Sequence, residues 1–178
     1  MRLALGLLLL PSVAAADSAW TAGVNLGLTQ SENASQDDPN TMLALYGRYR
    51  FAHRVAAQLE VGTVRGDDNG ALREMTALGV VDLMEGSRFV PVLLAGAGFD
   101  WLTTDYGTST NAHHFEAGLG LEYRVDNGFV VGADVRIGER SIDSDNMAVP
   151  LAGTLYFAPL DLRDGQYRSA RITLGVHF

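Results

Sequence analysis

The sequence predicts an all-β chain, an eight-stranded antiparallel up-and-down barrel that crosses a membrane. Three observations carry that reading. Eight segments alternate apolar and polar side chains with a period of two, which sets one face of a strand in an apolar medium and the other in a polar one. The connections between them alternate short and long, and aromatic residues gather at both ends of the segments. About ten tilted residues cross a bilayer as a strand, and an even number of strands returns both chain ends to one side.

Composition narrows the remaining classes. The chain has 178 residues, no cysteine and a formal net charge of -8. That length suits one domain around one closed core or lumen. No disulfide can form. Acidity with no basic stripe excludes nucleic acid as the partner, because phosphates would go unneutralised. Residues 1–16 read as a cleaved signal peptide: Arg2 is the positive start, Leu3 to Leu10 the short apolar run, Pro11 its end and Ala14-Ala15-Ala16 the cleavage site. The run is too short for a membrane-spanning helix. The mature barrel domain is then expected at residues 17–178.

The segments follow in order. Residues 19–29 open on Trp20. In residues 41–51, Leu43, Leu45, Tyr49 and Phe51 share one face, with Tyr46, Arg48 and Arg50 on the other. Residues 55–65 turn Glu60 to the polar face, and residues 73–83 do the same with Glu74 and Asp82. Residues 89–101 are more apolar, yet Asp100 falls opposite Phe89, Leu93, Phe99 and Trp101. In residues 113–125, Phe115, Ala117, Leu119, Leu121, Tyr123 and Val125 oppose His114, Glu116, Glu122 and Arg124. In residues 129–140, Phe129, Val131, Ala133, Val135 and Ile137 oppose Asp134, Arg136 and Arg140. Residues 167–178 close the chain with Ala170, Ile172, Leu174, Val176 and Phe178 against Ser169, Arg171, Thr173, Gly175 and His177. Charges on the apolar face are confined to strand ends, such as Arg65, Arg73 and Arg168. A midplane charge facing lipid would cost about 2–4 kcal/mol.

Residues 52–54, 84–88 and 126–128 are tight turns, whereas 30–40, 66–72, 102–112 and 141–166 are longer and mostly polar. Short turns on the periplasmic side and long loops outside are the asymmetry of such barrels. Trp20, Tyr49, Phe51, Phe89, Tyr123, Phe129 and Phe178 fall at the short-turn ends, and Phe99, Trp101 and Phe115 near the long-loop ends. Residues 148–162 are apolar enough for a ninth strand, but strand parity assigns them to the loop as a hairpin extension. The soluble alternative is a lipocalin-like barrel, which turns its apolar face inward.

If that face lies outside, the inward face carries acids at Glu60, Glu74, Asp82, Asp100, Glu116, Glu122 and Asp134. Its bases are Arg48, Arg50, Arg124, Arg136, Arg140 and Arg171. Eight strands leave a lumen that side chains just fill, so these charges must pair or be solvated. A three-residue turn at 126–128, with Gly128 left-handed, sets Gly120 against Asp134, Gly118 against Arg136 and Glu116 against Gly138. Glu116 then lies diagonal to Arg136, and the second hairpin sets Arg48 diagonal to Glu60. The expectation is a lumen plugged by ion pairs among Arg48, Arg50, Glu60, Glu116, Glu122, Arg124, Asp134 and Arg136, with a small gated pore as the alternative.

The terminal alternation ending on Val176 and Phe178 resembles the C-terminal signal by which the barrel-assembly machinery of Gram-negative bacteria selects outer-membrane clients. Together with residues 91–99 (Pro91-x-Leu93-x-Ala95-Gly96-Ala97-Gly98-Phe99) and 118–124 (Gly118-Leu119-Gly120-Leu121-Glu122-Tyr123-Arg124), the mature chain resembles the OmpA/OmpX-like family of small outer-membrane β-barrels. That resemblance implies a monomer in the outer membrane, contact with lipid and lipopolysaccharide, and long extracellular loops that serve structure, adhesion or immune evasion. It does not identify the loop-bound partner. Some eight-stranded barrels act on lipid A, and the deacylases among them carry a His-x-Ser pair with a nearby acid. Here His113-His114-Phe115-Glu116 offers no such Ser, and none stands two residues after any His. No catalytic residue, cofactor or metal ligand is therefore assigned. A paired site at His113 and His114 would need further ligands. The acidic runs 67–70 and 143–146 are within reach of calcium chemistry, though the first reads as a turn and the second lacks the EF-hand Gly and distal Glu. Asn33-Ala34-Ser35 matches a glycosylation sequon only formally.

Overall fold

A chain whose strands alternate in character can satisfy its backbone only by pairing every edge, and the ladder here closes on itself. The computed structural model describes residues 19–32, 39–65, 71–84, 86–103, 109–142 and 165–178. Within it, β1 (Trp20–Ser31), β2 (Asn40–Ala52), β3 (Val55–Arg65), β4 (Ala71–Asp82), β5 (Phe89–Thr103), β6 (Ser109–Arg124), β7 (Phe129–Ile142) and β8 (Gly165–His177) form one closed barrel in sequence order. All neighbours are antiparallel, and β1 pairs with β8 from Thr21↔His177 to Ser31↔Tyr167. Closure removes the sheet edges that would otherwise invite aggregation.

The faces divide by parity. Leu43, Leu45, Phe51, Phe99, Phe115, Leu119, Val135, Ile137 and Ile172 stand on the outer wall, well exposed. The inward positions are the buried ones and include most of the charged side chains on the strands. An apolar outside and a charged inside is the reverse of a lipocalin-like barrel, so the soluble alternative falls. Trp20 packs on Tyr49 and Phe89 on Tyr123, with ring centroids 4.8 and 4.7 Å apart, at the short-turn end of the outer wall. Each pair is directly cross-strand.

The strands run further at the long-loop end than alternation indicated. β5 and β6 extend through Leu102↔Thr110 and Thr103↔Ser109, where the sequence reading placed loop. β1 likewise reaches Ser31, β4 begins at Ala71, β7 reaches Ile142 and β8 begins at Gly165. The ladder continues there beyond the regular alternation because paired backbone groups remain favourable whatever the side chains. At the other end, Gly128 has φ +88°, a conformation that favours glycine, and the Val125 amide donates to the Phe129 carbonyl at 2.8 Å. That turn fixes the β6–β7 register. The signal-peptide assignment, the acidic runs, the sequon and residues 148–162 lie outside the described residues.

Candidate functional site

Inward side chains come from all eight strands and sort into layers along the barrel. Nearest the long loops is an apolar cap of Met42, Ala44, Val64, Leu72 and Ala112, with Ile142 packed against it. Further in, β4 presents Glu74 and then Thr76, while β5, β6 and β7 present Asp100, His114 and Arg140. Arg140 Nε donates to Asp100 Oδ2 at 2.5 Å. Thr76 Oγ1 is 3.0 Å from His114 Nε2, and His114 Nδ1 is 3.1 Å from Asp100 Oδ2. The order hydroxyl, imidazole, carboxylate is that of an activated nucleophile. Yet His114 Nδ1 finds no aligned hydrogen-bond partner, and all three side chains are buried beneath the cap.

The central layer is built around Arg136, whose side chain is 1 % exposed. Its Nε donates to Asp134 Oδ1 at 2.6 Å, and Nη1 donates to Glu116 Oε1 at 2.7 Å and Glu60 Oε2 at 3.1 Å. Nη2 donates to Glu60 Oε1 at 2.9 Å and Asp134 Oδ2 at 3.4 Å. Those contacts occupy the five-donor fork of a guanidinium. Glu60 also accepts from Arg171 Nη1 at 2.5 Å, Asn25 at 2.9 Å and Gln58 at 2.5 Å. Glu116 accepts further bonds from Tyr167 Oη at 3.0 Å and Arg171 Nη2 at 3.3 Å. Gly118 lies directly across from Arg136, and a Cβ there would meet the Arg136 side chain at 2.7 Å. The missing side chain is the room in which the guanidinium crosses the lumen.

Toward the short turns, Arg48 Nη1 is 2.6 Å from Glu122 Oε1, and Arg48 Nε donates to Gln58 at 2.6 Å. Arg48 is diagonal to Glu60 in the β2–β3 ladder, but its ion pair crosses the lumen to Glu122 instead. The Glu60 oxygens are already held by Arg136 and Arg171, which explains the choice. At the mouth, Asp82 accepts from Arg124 Nη1 at 2.7 Å, Arg124 Nη2 at 2.9 Å and Arg50 Nη1 at 2.7 Å. Arg124 Nη2 also reaches Glu122 at 2.8 Å.

The eight lumen residues singled out from sequence therefore fall in two places. Glu60, Glu116, Asp134 and Arg136 share the central layer, and Arg48, Arg50, Glu122 and Arg124 the layers below it. Sequence reasoning left out of that set Arg171, Asp82, Tyr167, Asn25 and the Asp100–Arg140 pair. Their strand parity was the available signal, since each falls on an inward position. Val176 pairs with Ala22 and Phe129, and Phe178 is exposed at the same end, exchanging backbone hydrogen bonds with Trp20 at 2.9 and 3.3 Å. Among the described residues no group of His, Asp or Glu is arranged to hold a metal ion.

Comparison with known proteins gives this architecture a family. Residues 3–178 match the model of the family described as Outer membrane protein beta-barrel domain. A search of curated proteins finds no match. Among solved structures, the chain is similar to Neisserial surface protein A, at 11% identity and a TM-score of 0.66, covering 89% of this chain and 96% of that one. It is also similar to the N-terminal β-barrel domain of Pseudomonas aeruginosa OprF (14% identity, TM-score 0.54, 89% and 97% covered). A third likeness is to Yersinia pestis Ail, the attachment invasion locus protein, crystallised with the heparin analogue sucrose octasulfate (18% identity, TM-score 0.50, 90% and 97% covered). At these identities the likeness shows the fold alone. With its closed eight-stranded barrel and a family match over almost its whole length, the chain belongs to the outer-membrane β-barrel family.

Proposed function

We propose that this protein is a surface barrel of the Gram-negative outer membrane, monomeric, with a lumen plugged by charge and long extracellular loops that contact a partner. The observation that supports a plug is the central layer, where Arg136 binds three carboxylates and Arg171 joins two of them beneath an apolar cap. Such a lumen is a strut for the wall, which leaves function to the surface. Loops within 30–40, 102–112 and 141–166 are the surface that remains. That Ail was crystallised with a heparin analogue makes a polyanionic glycan one partner class to try. Residues 1–16 direct export in this reading, and the assembly machinery takes the chain by Val176 and Phe178.

Lipid is the second partner. Arg65 and Arg73 stand exposed on the outer wall, diagonal across β3 and β4, and Trp101 is directly across from Arg73. The next outward row toward the membrane is Val61, Met75 and Phe99, all apolar and exposed. Arginines above such a boundary lay their stems on the apolar surface and present guanidiniums to lipopolysaccharide phosphates.

Proteolysis of intact cells and a binding assay with loop-shortened barrels test the whole reading. Cleavage within the long loops from outside the cell is expected, together with loss of partner binding when the loops are replaced by short turns. Protection of those loops in intact cells, or undiminished binding without them, would contradict it.

A further inference from the structure

The two ends of the lumen differ in what they leave open. Below the central layer, at the short-turn end, the wall encloses a cavity of about 110 Å³ lined by Arg48, Arg50, Arg124, Glu122, Thr21 and His177 among others. Three guanidiniums meet there with two carboxylates, Asp82 and Glu122. Both oxygens of each carboxylate are engaged: Asp82 by Arg50 and Arg124, Glu122 by Arg48 and Arg124. One positive charge is left over, in a chain whose net charge is -8.

The donors left over have an address. Arg50 gives only Nη1 to acceptors, to Asp82 at 2.7 Å and the His53 carbonyl at 3.1 Å. Among the described residues its Nε and Nη2 have no acceptor, and neither does Nη2 of Arg48. The Arg50 and Arg124 side chains are 24% and 29% exposed, so the cavity communicates with solvent. That volume, open to solvent on one side, admits a small tetrahedral or planar oxyanion.

We propose that this mouth is a binding site for a single oxyanionic group, a carboxylate or a phosphate, seated on the free edge of Arg50 with Arg48 beside it. A guanidinium edge presents two parallel N–H donors spaced for two oxygens of one such group, which a diffuse ion atmosphere does not reproduce. The occupant enters from the short-turn side, because the central layer and the cap close the other. It is therefore a free small anion or the acidic tip of a larger molecule on that side of the membrane.

The test uses the whole barrel refolded in a neutral detergent, with the arginine Nε resonances followed by NMR. Inorganic phosphate or acetate is titrated at constant ionic strength set by chloride. Saturable shifts of the Arg50 and Arg48 signals are expected, with half-saturation on the order of 1 mM. The stronger of the two anions names the group. Arg50→Gln should weaken binding at least tenfold while heat-modifiable gel migration stays that of the folded barrel. Shifts that track ionic strength whatever the anion, or equal saturation in Arg50→Gln, would overturn the site.

Discussion

The central layer and the mouth of the lumen use the same chemistry under different solvation. Around Arg136 and Arg171 the side chains are at most a few per cent exposed, and Glu60 and Glu116 are each shared between the two arginines and an amide or a phenol. Around Asp82 the arginines reach water. A charge that loses its partner in the first place has nowhere to go, because desolvation in a low-dielectric interior is costly. A charge that loses its partner at the mouth turns to solvent, where exposed pairs are worth only about 0–1 kcal/mol. Ion pairs of similar length, such as Arg136–Glu116 at 2.7 Å in one region and Arg50–Asp82 at 2.7 Å in the other, therefore carry different weight.

Three substitutions can break or sharpen that contrast, followed through urea unfolding of the detergent-refolded barrel. The largest effect belongs to Glu60→Ala. It removes the acceptor shared by Arg136, Arg171, Asn25 and Gln58 and leaves two buried guanidiniums with only Glu116 and Asp134 as close carboxylate partners, at a cost of about 3–5 kcal/mol. A loss below about 1 kcal/mol would mean that lumen water already screens this layer. Next comes Gly118→Val. Its new side chain must displace Arg136 or the β7 backbone, since even a Cβ would lie 2.5 Å from the Val135 carbonyl oxygen. Overpacking of that kind costs about 1–3 kcal/mol. The smallest effect is expected from Asp82→Asn, at roughly 1 kcal/mol, because Arg50 and Arg124 turn toward solvent. Its cost should shrink in roughly 1 M salt, which screens exposed charges but not buried ones. An Asp82→Asn loss equal to that of Glu60→Ala would erase the distinction.

How legible this was in the sequence follows from what each feature depends on. Which residues share a face depends only on parity along one strand, so Glu116, Asp134 and Arg136 could be separated from Phe115, Val135 and Ile137 without coordinates. Contacts between adjacent strands depend also on one turn. Gly128 fixed that turn, and Gly118 opposite Arg136 followed from counting. Contacts across the lumen depend on closure and stagger of all eight strands, which no local pattern encodes. Hence Arg48 was set beside Glu60 by counting, while closure carries it to Glu122. Hence also Arg171, on the last strand, joined Glu60 on the third only in the folded barrel. The apolar cap was hidden for a related reason: Met42 and Ala44 on β2, Val64 on β3 and Leu72 on β4 are inward by parity, but nothing in three separate strands says that they meet.

Planar-bilayer recording on the purified, refolded protein tests the central claim most directly, that the layered lumen is closed. If the lumen is plugged as proposed, the unmodified barrel inserts without steady conductance. Steady, large conductance from that same protein would contradict the plug and make the lumen a channel.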